Sequence, residues 1–325
     1  MMTPTIQTFT RALLMPDISF SRLADARVKL GPEGLPQLMR TTRFVEATIE
    51  WQHRRWLLSM PLSPSAIVSV ERTASHIGRL NTDWLSPYRM LTGEMRWTTP
   101  AGDEQHSDLL LEYLPEGLSF EEALLREPTD RLLEALDRLQ EALRRLEFAH
   151  NNLRPRNLQW VGDRFIPMRY QDARFGHPEN DAPFFEDLRA EVIRHSDPMQ
   201  VSDVTAEYNP LRRLTGHRWT SQLSEGLVCV EDESGYGYVD AENRVVIPST
   251  LRWASDFHEG RAEAETETGM GLLDRQGRWI IPPVYEIVDY DPVESNVFVR
   301  KEGLWAEFDY LGRQQSQFGE RSARP

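Results

Sequence analysis

Residues His150–Asn157 read His-Asn-Asn-Leu-Arg-Pro-Arg-Asn, and the N-terminal half of the chain is organised around this stretch. Before it, leucines recur at alternating steps of four and three, which predicts an amphipathic helix of a globular domain rather than a coiled coil, since the stripe covers only about two heptads. These leucines are Leu132, Leu136, Leu139, Leu143 and Leu146. After it, Leu158–Val161 is a short apolar run typical of a strand. The sequence therefore predicts a polar loop between a packed helix and a buried strand.

This loop resembles the catalytic loop of the protein-kinase superfamily, His-Arg-Asp-Leu-Lys-Pro-x-Asn, and it keeps Leu153, Pro155 and Asn157 of that motif. The resemblance implies a kinase-like domain in which an aspartate accepts the substrate proton and the asparagine holds a metal on ATP. Asn152 stands at the aspartate position, and a neutral amide cannot act as that base. His150 is expected to be a structural, hydrogen-bonding residue of the loop.

Two further parts that the resemblance implies are missing. The lysine that binds the phosphates belongs in the third strand of the small lobe, and the apolar pattern of that strand puts Ser59 at its position. Lys29 and Lys301 are the only lysines of the chain, so this absence does not depend on the alignment. No glycine occurs between Gly34 and Gly78, although the resemblance implies a glycine-rich turn over the phosphates.

The metal-binding aspartate of the resemblance has one candidate, Asp172, within the stretch Gln171–Gly176. The Phe-Gly pair does not follow this aspartate directly, and the spacing from Asn157 is longer than usual. Asp172 is therefore either a metal ligand or a solvated loop acid, and the second interpretation is favoured.

Apolar periodicity predicts the other elements of this half. The predicted strands and helices are Phe44–Trp51, Trp56–Met60, Tyr88–Thr98, Leu109–Tyr113, Ser65–Leu80 and Glu186–Arg194. Ser119 and Glu122 form a Ser-x-x-Glu capping box, which predicts the start of one more helix.

The C-terminal half contains a repeat with a spacing of 34 residues. Arg218–Gly226 recurs as Arg252–Gly260, and Tyr236–Asp240 recurs as Met270–Asp274. A degenerate third copy, Trp305–Gly312, is shifted by one residue. Each copy predicts three strands joined by turns, and such a unit buries a core only when copies stack.

These copies resemble the WG-repeat family, whose units carry an aromatic-Gly pair and then two apolar residues, Asp, a turn and an apolar run ending in Pro. The resemblance covers Arg218–Gln315 and implies an all-β domain of stacked short antiparallel strands. The motif positions are Trp219, Gly237, Asp240, Trp253, Gly271, Asp274, Trp305 and Asp309. Because Trp219 and Trp253 occupy equivalent positions, both are expected to be largely buried.

The glycine of the aromatic-Gly pair is expected to permit either a close backbone approach or a positive φ. The pair has drifted to Tyr236-Gly237 and Met270-Gly271 in the first two copies. Ala306 replaces the glycine in the third copy and leaves that geometry open.

The predicted fold class is α+β, in the arrangement of bacterial proteins that join a kinase-like domain to WG repeats. The predicted domains are a lead-in at 1–34, a trimmed kinase-like domain at 35–198, a linker at 199–216 and the repeat domain at 217–325. The lead-in is either a short packed helix or a partly ordered segment.

Composition restricts the partners. The net charge of −14 opposes binding to nucleic acid or to an anionic membrane. The single Cys229 excludes an internal disulfide framework and is expected to be a small core residue. The histidines are scattered without metal-ligand spacing, so no metal and no cofactor is predicted. With no predicted membrane span or signal segment, the protein is expected in the cytoplasm.

The resemblances imply a non-catalytic pseudokinase fused to a WG-repeat module that binds another protein, of unknown identity, as a scaffold or regulator. Loss of the base, the lysine and the glycines removes different parts of phosphoryl-transfer machinery. The alternative is an atypical kinase or nucleotide-binding phosphotransferase that uses Asn157, Asp172 and His150.

Overall fold

The structure is a computed structural model that describes residues 4–99, 101–196 and 214–320. Contacts within the chain define two units. The first contains most of the N-terminal half. The second contains the repeats together with two N-terminal segments, Arg40–Phe44 and Leu62–Val68. Most of the predicted linker, 199–216, lies outside the described residues, so that boundary stays a prediction. The predicted division placed both segments in the domain at 35–198. It was wrong for them, because the residues that they contact in the repeat unit are distant in sequence.

The N-terminal half alternates helices and strands. Its helices are α1 (Ile6–Leu14), α2 (Pro16–Ser19), α3 (Pro64–Ile77), α4 (Phe120–Arg126), α5 (Thr129–Arg145) and α6 (Ala182–Ser196). Its strands are β1 (Arg27–Val28), β2 (Leu38–Arg40), β3 (Phe44–Trp51), β4 (Arg54–Pro61), β5 (Tyr88–Thr98), β6 (Glu104–Tyr113), β7 (Leu118–Ser119), β8 (Phe148–Ala149), β9 (Leu158–Val161), β10 (Arg164–Pro167) and β11 (Arg174–Phe175).

The main sheet of this half has the order β1-β3-β4-β6-β5, with β2 also paired to β3. The predicted bounds of β3 and β5 are confirmed. Strand β6 begins at Glu104 rather than at Leu109, because its polar first half pairs with the end of β5, where Thr98 faces Glu104. Gln52 and His53 form the tight turn from β3 to β4 with positive φ angles of 50° and 60°.

The predicted helices around the loop are confirmed. In α5 the leucines of the predicted stripe are buried, apart from Leu146 at the end of the helix. At the start of α4, Ser119 Oγ accepts the Glu122 N–H at 3.1 Å and Glu122 Oε2 accepts the Ser119 N–H at 2.9 Å, so the capping box is present. The lead-in contains the helices α1 and α2, so of its two predicted forms, a packed helix or a partly ordered segment, the structure has the first.

The repeat half consists of short antiparallel strands in three sheets, ordered β12-β13-β14-β15, β16-β17-β18-β19 and β20-β21-β22. The strands are β12 (Trp219–Thr220), β13 (Leu227–Asp232), β14 (Gly235–Asp240), β15 (Val245–Leu251), β16 (Trp253–Ala254), β17 (Arg261–Thr266), β18 (Gly269–Asp274), β19 (Trp279–Tyr285), β20 (Ile287–Asp291), β21 (Asn296–Lys301) and β22 (Leu304–Asp309). The first two sheets have four strands, not the predicted three. Strands β12 and β16 have only two residues, too few for an alternating pattern to reveal them.

The three sheets of the second unit share one hydrophobic core. Tyr238 packs its ring against Phe257 with 4.7 Å between ring centres, and its hydroxyl donates to the Ser255 carbonyl at 2.6 Å. Cys229 is buried in this core as predicted, and burial raises the pKa of its thiol. Consecutive repeats thus stabilise one another through shared apolar surface.

Candidate functional site

The loop His150–Asn157 is held by a buried carboxylate that precedes α6. Asp181 accepts the backbone N–H of His150 at 2.6 Å and that of Asn151 at 2.8 Å. The side chain is only 1% exposed, and this burial raises the pKa of the Asp181 carboxyl. These two hydrogen bonds to consecutive backbone amides therefore attach the start of the loop to the segment that directly precedes α6.

His150 is fully buried and neutral. Its Nε2 lies 2.8 Å from the Met168 carbonyl oxygen, which can only accept, so Nε2 carries the proton. Burial lowers the pKa of His150 because the interior disfavours the charged ring. The ring packs edge-on to Tyr170 at 5.9 Å between centres. His150 therefore connects the loop to the segment that follows β10.

The structure brings three of the predicted site residues together. Asn152 Nδ2 donates to Asp172 Oδ2 at 2.9 Å, and Asn157 Nδ2 donates to the Asn152 carbonyl at 2.7 Å. Asp172 is half-buried and hydrogen-bonded, which differs from the favoured solvated loop acid. Asn157 is 1% exposed, and its Oδ1 has no hydrogen-bond partner among the residues that the structure describes.

Beside this loop lies a second polar group, the Arg169 cluster, which consists of Glu46, Ser59, Glu112, Arg169 and Gln171. Arg169 donates its backbone N–H to Glu112 Oε1 at 2.7 Å and its Nε lies 3.3 Å from Glu46 Oε2. Gln171 Nε2 donates to Glu46, and it also lies 3.4 Å from Ser59 Oγ. Strands β3, β4 and β6 thus each contribute one polar side chain to the cluster.

The charges of the Arg169 cluster compensate one another internally. Glu46 and Glu112 are 1% and 2% exposed. Burial raises the pKa of Glu112 to about 8, against the opposing effect of the Arg169 N–H, so this acid is protonated at neutral pH. Glu46 pairs with the Arg169 guanidinium, with 3.3 Å between Oε2 and Nε. Arg169 has a φ of 64°, a left-handed conformation that a non-glycine residue adopts only at some cost.

Sequence reasoning did not find Glu46, Glu112, Arg169 or Asp181. Glu46 lies in a strand whose alternating pattern predicts one solvent face, but residues 44–47 are buried on both faces. Its partners Arg169 and Gln171 are more than a hundred positions away. Of these residues, only Asp181 has a recognisable sequence feature, an acid in front of a helix pattern. That feature predicts the start of a helix and not a functional site.

An open cavity of about 450 Å³ lies elsewhere in the first unit. Tyr113, Pro115 and Ile166 contribute to its walls, and Arg164 and Asp83 form an ion pair of 2.6 Å there. None of the Arg169 cluster residues lines this cavity. It is therefore separate from the site around His150–Asn157.

In the repeats, the motif aspartates Asp240, Asp274 and Asp309 organise turns. Asp274 Oδ1 accepts the backbone N–H of Gln276 and of Arg278, both at 2.9 Å, and Oδ2 accepts Arg278 Nε at 2.7 Å. Asp240 and Asp309 make the corresponding bonds. In both cases the pKa of the carboxyl is lowered, mainly by the hydrogen bond from the backbone N–H of the arginine four residues later. These residues are turn residues.

The glycines of the motif permit a close backbone approach. A Cβ at Gly237 would lie 2.5 Å from the Ile247 carbonyl oxygen, and a Cβ at Gly271 would lie 2.5 Å from that of Ile281. Neither glycine has a positive φ. The first of the two expected reasons for glycine therefore applies, because the last strand of each sheet passes directly over this position.

Residues 236–267 and 270–305 match the WG containing repeat family. The two matched ranges begin at Tyr236 and Met270, the aromatic-Gly positions of the first two copies. No curated protein sequence matches the chain significantly. The part of the chain that matches is thus similar to WG repeats, in agreement with its short antiparallel strands.

The third copy of the sequence repeat has Ala306 at the position of the glycine. The residue is 2% exposed in β22, and no fourth strand crosses it among the described residues. The chain returns instead as isolated bridges that pair Trp305 with Gly319 and Phe308 with Gln314. Without a crossing strand, the alanine methyl group has room.

The two equivalent tryptophans of the WG repeats differ in burial. Trp253 is 2% exposed, as predicted, and its Nε1 donates to the Thr42 carbonyl at 2.7 Å. Trp219 is only partly buried, so the prediction for this residue is wrong. It belongs to the first sheet of the stack, where the Arg40 guanidinium rather than another repeat lies over its ring, at 4.4 Å from the ring centre.

Two further features are absent from residues 4–99, 101–196 and 214–320. No helix in these ranges is long and apolar enough to cross a membrane. The same ranges contain no group of three or more His, Cys, Asp or Glu side chains that could hold a metal ion.

We expect Asp274→Ala to lower the free energy of unfolding by about 1–2 kcal/mol, because two backbone N–H groups and Arg278 lose their acceptor. Urea unfolding measures this. The difference in unfolding free energy between the wild type and Asp274→Ala should become smaller in acid. The hydrogen bonds that lower the pKa of Asp274 stabilise the fold above the usual aspartate pKa. That stability is lost as the pH falls through the folded-state pKa.

The matched control for Asp274 is Glu267→Ala, whose carboxylate is 85% exposed and makes one 3.4 Å ion pair with Arg252. We expect it to change the unfolding free energy by less than about 0.5 kcal/mol. Equal effects of the two substitutions would contradict the turn-organising role of Asp274.

Proposed function

We propose that this protein is a non-catalytic, kinase-like pseudokinase fused to a WG-repeat module that binds another protein, and that it acts as a scaffold or regulator. The observation that carries the proposal is the environment of Asn152, which stands where a kinase has its catalytic base. Its side-chain amide donates a hydrogen bond to Asp172. A neutral group that already donates cannot take a proton from a substrate hydroxyl.

The distribution of cations supports the same proposal. Ser59 occupies the position of the phosphate-binding lysine and is 3% exposed. Arg169 is close to it within the Arg169 cluster, but its guanidinium is paired with buried Glu46. Releasing that arginine for a phosphate would leave an uncompensated carboxylate in the interior, which is strongly unfavourable.

The turn between β2 and β3 also supports it. Residues Thr41, Thr42 and Arg43 form this turn without a glycine. Thr42 donates its hydroxyl to Asp256 Oδ2 at 2.9 Å and accepts the Trp253 indole N–H on its carbonyl. A turn whose polar groups bind the repeat unit is unsuited to closing over phosphates with its backbone amides.

The protein-binding part of the proposal rests on exposed apolar side chains that recur in the WG repeats. Val245 and Trp279 begin β15 and β19 at equivalent positions and are 67% and 36% exposed. Leu311, in the turn after β22 of the third copy, is not at the equivalent position but is also exposed, at 49%. Stacked repeats present such positions along an extended surface, which suits a partner protein, whereas the net charge of −14 opposes nucleic acid.

We predict that the protein does not transfer phosphate from ATP. The full chain, incubated with radiolabelled ATP, should label neither itself nor generic protein substrates above background. Asn152→Asp should not restore transfer, because the missing base, cation and glycine turn act on separate parts of one barrier. Activity of the wild type that disappears in an Asn157→Ala, Asp172→Ala double variant would overturn the proposal.

A second candidate function is nucleotide binding by an atypical phosphotransferase, and one observation favours it. Asn157 Oδ1 is a buried acceptor that has no partner within the described part of the chain, next to the Asn152–Asp172 pair. A ligand that binds the native state must stabilise it. A rise in melting temperature with ATP that requires Mg²⁺ and is lost in Asn157→Ala would favour this candidate, and an unchanged melting temperature would exclude it.

A further inference from the structure

The first WG repeat holds an arginine side chain in a pocket of two aromatic rings and one carboxylate. We call the set Trp219, Glu231 and Tyr236 the guanidinium pocket. The Arg40 Cζ lies 4.4 Å from the Trp219 ring centre and 5.6 Å from that of Tyr236. Its Nη1 lies 2.5 Å from Glu231 Oε2, and its Nη2 donates to the Tyr236 hydroxyl. The cation is thus both stacked and hydrogen-bonded.

The repeat fold itself builds the walls of this pocket. Trp219 on β12 lies opposite Glu231 on β13, and Glu231 lies opposite Tyr236 on β14. Residues directly opposite on neighbouring antiparallel strands point to the same face. The three side chains therefore form one row across the sheet, and this row does not depend on Arg40 for its arrangement.

The same row recurs in the other repeats with different chemistry. In the second sheet it reads Trp253, Glu265 and Met270, and in the third it reads Ile287, Arg300 and Trp305. Only the first row, among the described repeats, combines two aromatic rings with a carboxylate. The chemistry that suits a guanidinium is therefore specific to the first repeat.

This chemistry selects arginine over lysine. A guanidinium is planar, so it can stack on an indole while its edge donates to a carboxylate and a hydroxyl. An ammonium is a compact, strongly hydrated charge without a plane to stack on the indole, so it fits this arrangement less well. Burial, the largest effect, raises the pKa of Tyr236 to about 12, so its hydroxyl stays a neutral acceptor at physiological pH.

Arg40 reaches the pocket from the end of strand β2, where the chain enters the turn to β3. Its Nε is buried and has no hydrogen-bond partner among the described residues, and an unmet buried donor carries a cost. Two residues after Arg40, within the turn, the Thr42 carbonyl accepts the Trp253 indole N–H. The first two rows therefore contact one short segment, through an arginine and then through a carbonyl two residues on.

We propose that the guanidinium pocket is an arginine-binding site of the WG-repeat module, that Arg40 is its internal ligand, and that a partner protein binds by replacing Arg40 with an arginine on a short peptide segment. This inference deepens the protein-binding function proposed above and rests on it. It names the ligand class, an arginine-bearing peptide segment.

The test uses the full chain and a peptide of residues 38–42, Leu-Met-Arg-Thr-Thr, with blocked ends. Calorimetry should show the peptide binding to Arg40→Ala at least roughly tenfold more tightly than to the wild type, because the substitution empties the pocket. The same peptide with lysine in place of arginine should not bind. N-ethylguanidinium should raise the melting temperature of Arg40→Ala, and ethylammonium should not.

Three variants control this test. The double variant Arg40→Ala, Glu231→Gln should lose the peptide, because the carboxylate partner of the guanidinium is gone. Arg218→Ala, which removes a 60% exposed arginine next to Trp219, should behave as the wild type. If Arg40→Ala does not fold, Arg40→Gln, which keeps part of the aliphatic stem, takes its place.

Equal binding of the arginine and lysine peptides, or unchanged binding in the Glu231→Gln double variant, would overturn the inference. Its failure is distinct from that of the proposed function. A chain that transfers phosphate and whose Arg40→Ala form binds the peptide would overturn only the non-catalytic function. A chain that transfers no phosphate and whose Arg40→Ala form binds no peptide would overturn only the arginine site.

Discussion

Trp253→Ala is expected to lower the free energy of unfolding of the repeat unit by about 3–5 kcal/mol, as for other fully buried large aromatic side chains. The indole is 2% exposed within the core that the sheets share. Its removal leaves a cavity and also deprives the Thr42 carbonyl of the donor that lies 2.7 Å away. Urea unfolding followed by circular dichroism measures the change.

Two other tryptophans of the repeat unit serve as matched controls for Trp253. Trp279 is 36% exposed, and Trp279→Ala is expected to cost no more than about 1 kcal/mol. Trp219→Ala should fall between the two, because the ring is partly buried and loses mainly its stacking with Arg40. If Trp253→Ala destabilised the unit no more than Trp279→Ala, the assignment of Trp253 to the shared core would be wrong.

Glu112→Gln is expected to remove a pH dependence of the stability of the first unit. Burial raises the pKa of Glu112 from 4.5 to about 8 in the folded chain. Between these values the folded state keeps a proton that the unfolded state releases, so the stability of the wild type falls as the pH rises through this window. Glutamine cannot ionise, so it keeps the acceptor for the Arg169 N–H without this dependence.

The expected gain of Glu112→Gln over the wild type therefore grows from pH 5 to pH 8 by roughly 3–4 kcal/mol, at 1.36 kcal/mol for each pH unit. Urea unfolding at several pH values measures the difference. Glu116→Gln is the matched control, since Glu116 is exposed on the same segment. Parallel pH profiles of the wild type and Glu112→Gln would contradict the buried neutral acid.

Some parts of the fold follow from short-range patterns. The leucine stripe of α5, the capping box at Ser119 and the alternation in Phe44–Trp51 each depend on residues within a few positions, and all three elements form as predicted. The spacing of 34 residues likewise predicted repeated β units, because equivalent turns need equivalent aspartates at Asp240 and Asp274. Such features depend on helical or strand period and on turn geometry.

Local patterns failed where burial depends on a distant part of the chain. Glu46 has the position of a solvent-facing strand residue, yet it is buried because Arg169 and Gln171 cover it. Trp219 and Trp253 are equivalent in sequence, but only the second is buried within the shared core, whereas the first is partly buried against it. The spacing of apolar residues identifies which residues share a face of a strand or helix. It does not identify which other part of the chain covers that face.

By itself, the sequence determined the helices around His150–Asn157 and the repeated β units. Only the tertiary structure decided how the site groups meet: Asp181 on the loop amides, Arg169 on Glu46, and Arg40 in the guanidinium pocket. The physical reason is separation along the chain. Hydrogen bonds and ion pairs between residues tens to hundreds of positions apart depend on the path of the folded backbone, which no local pattern specifies.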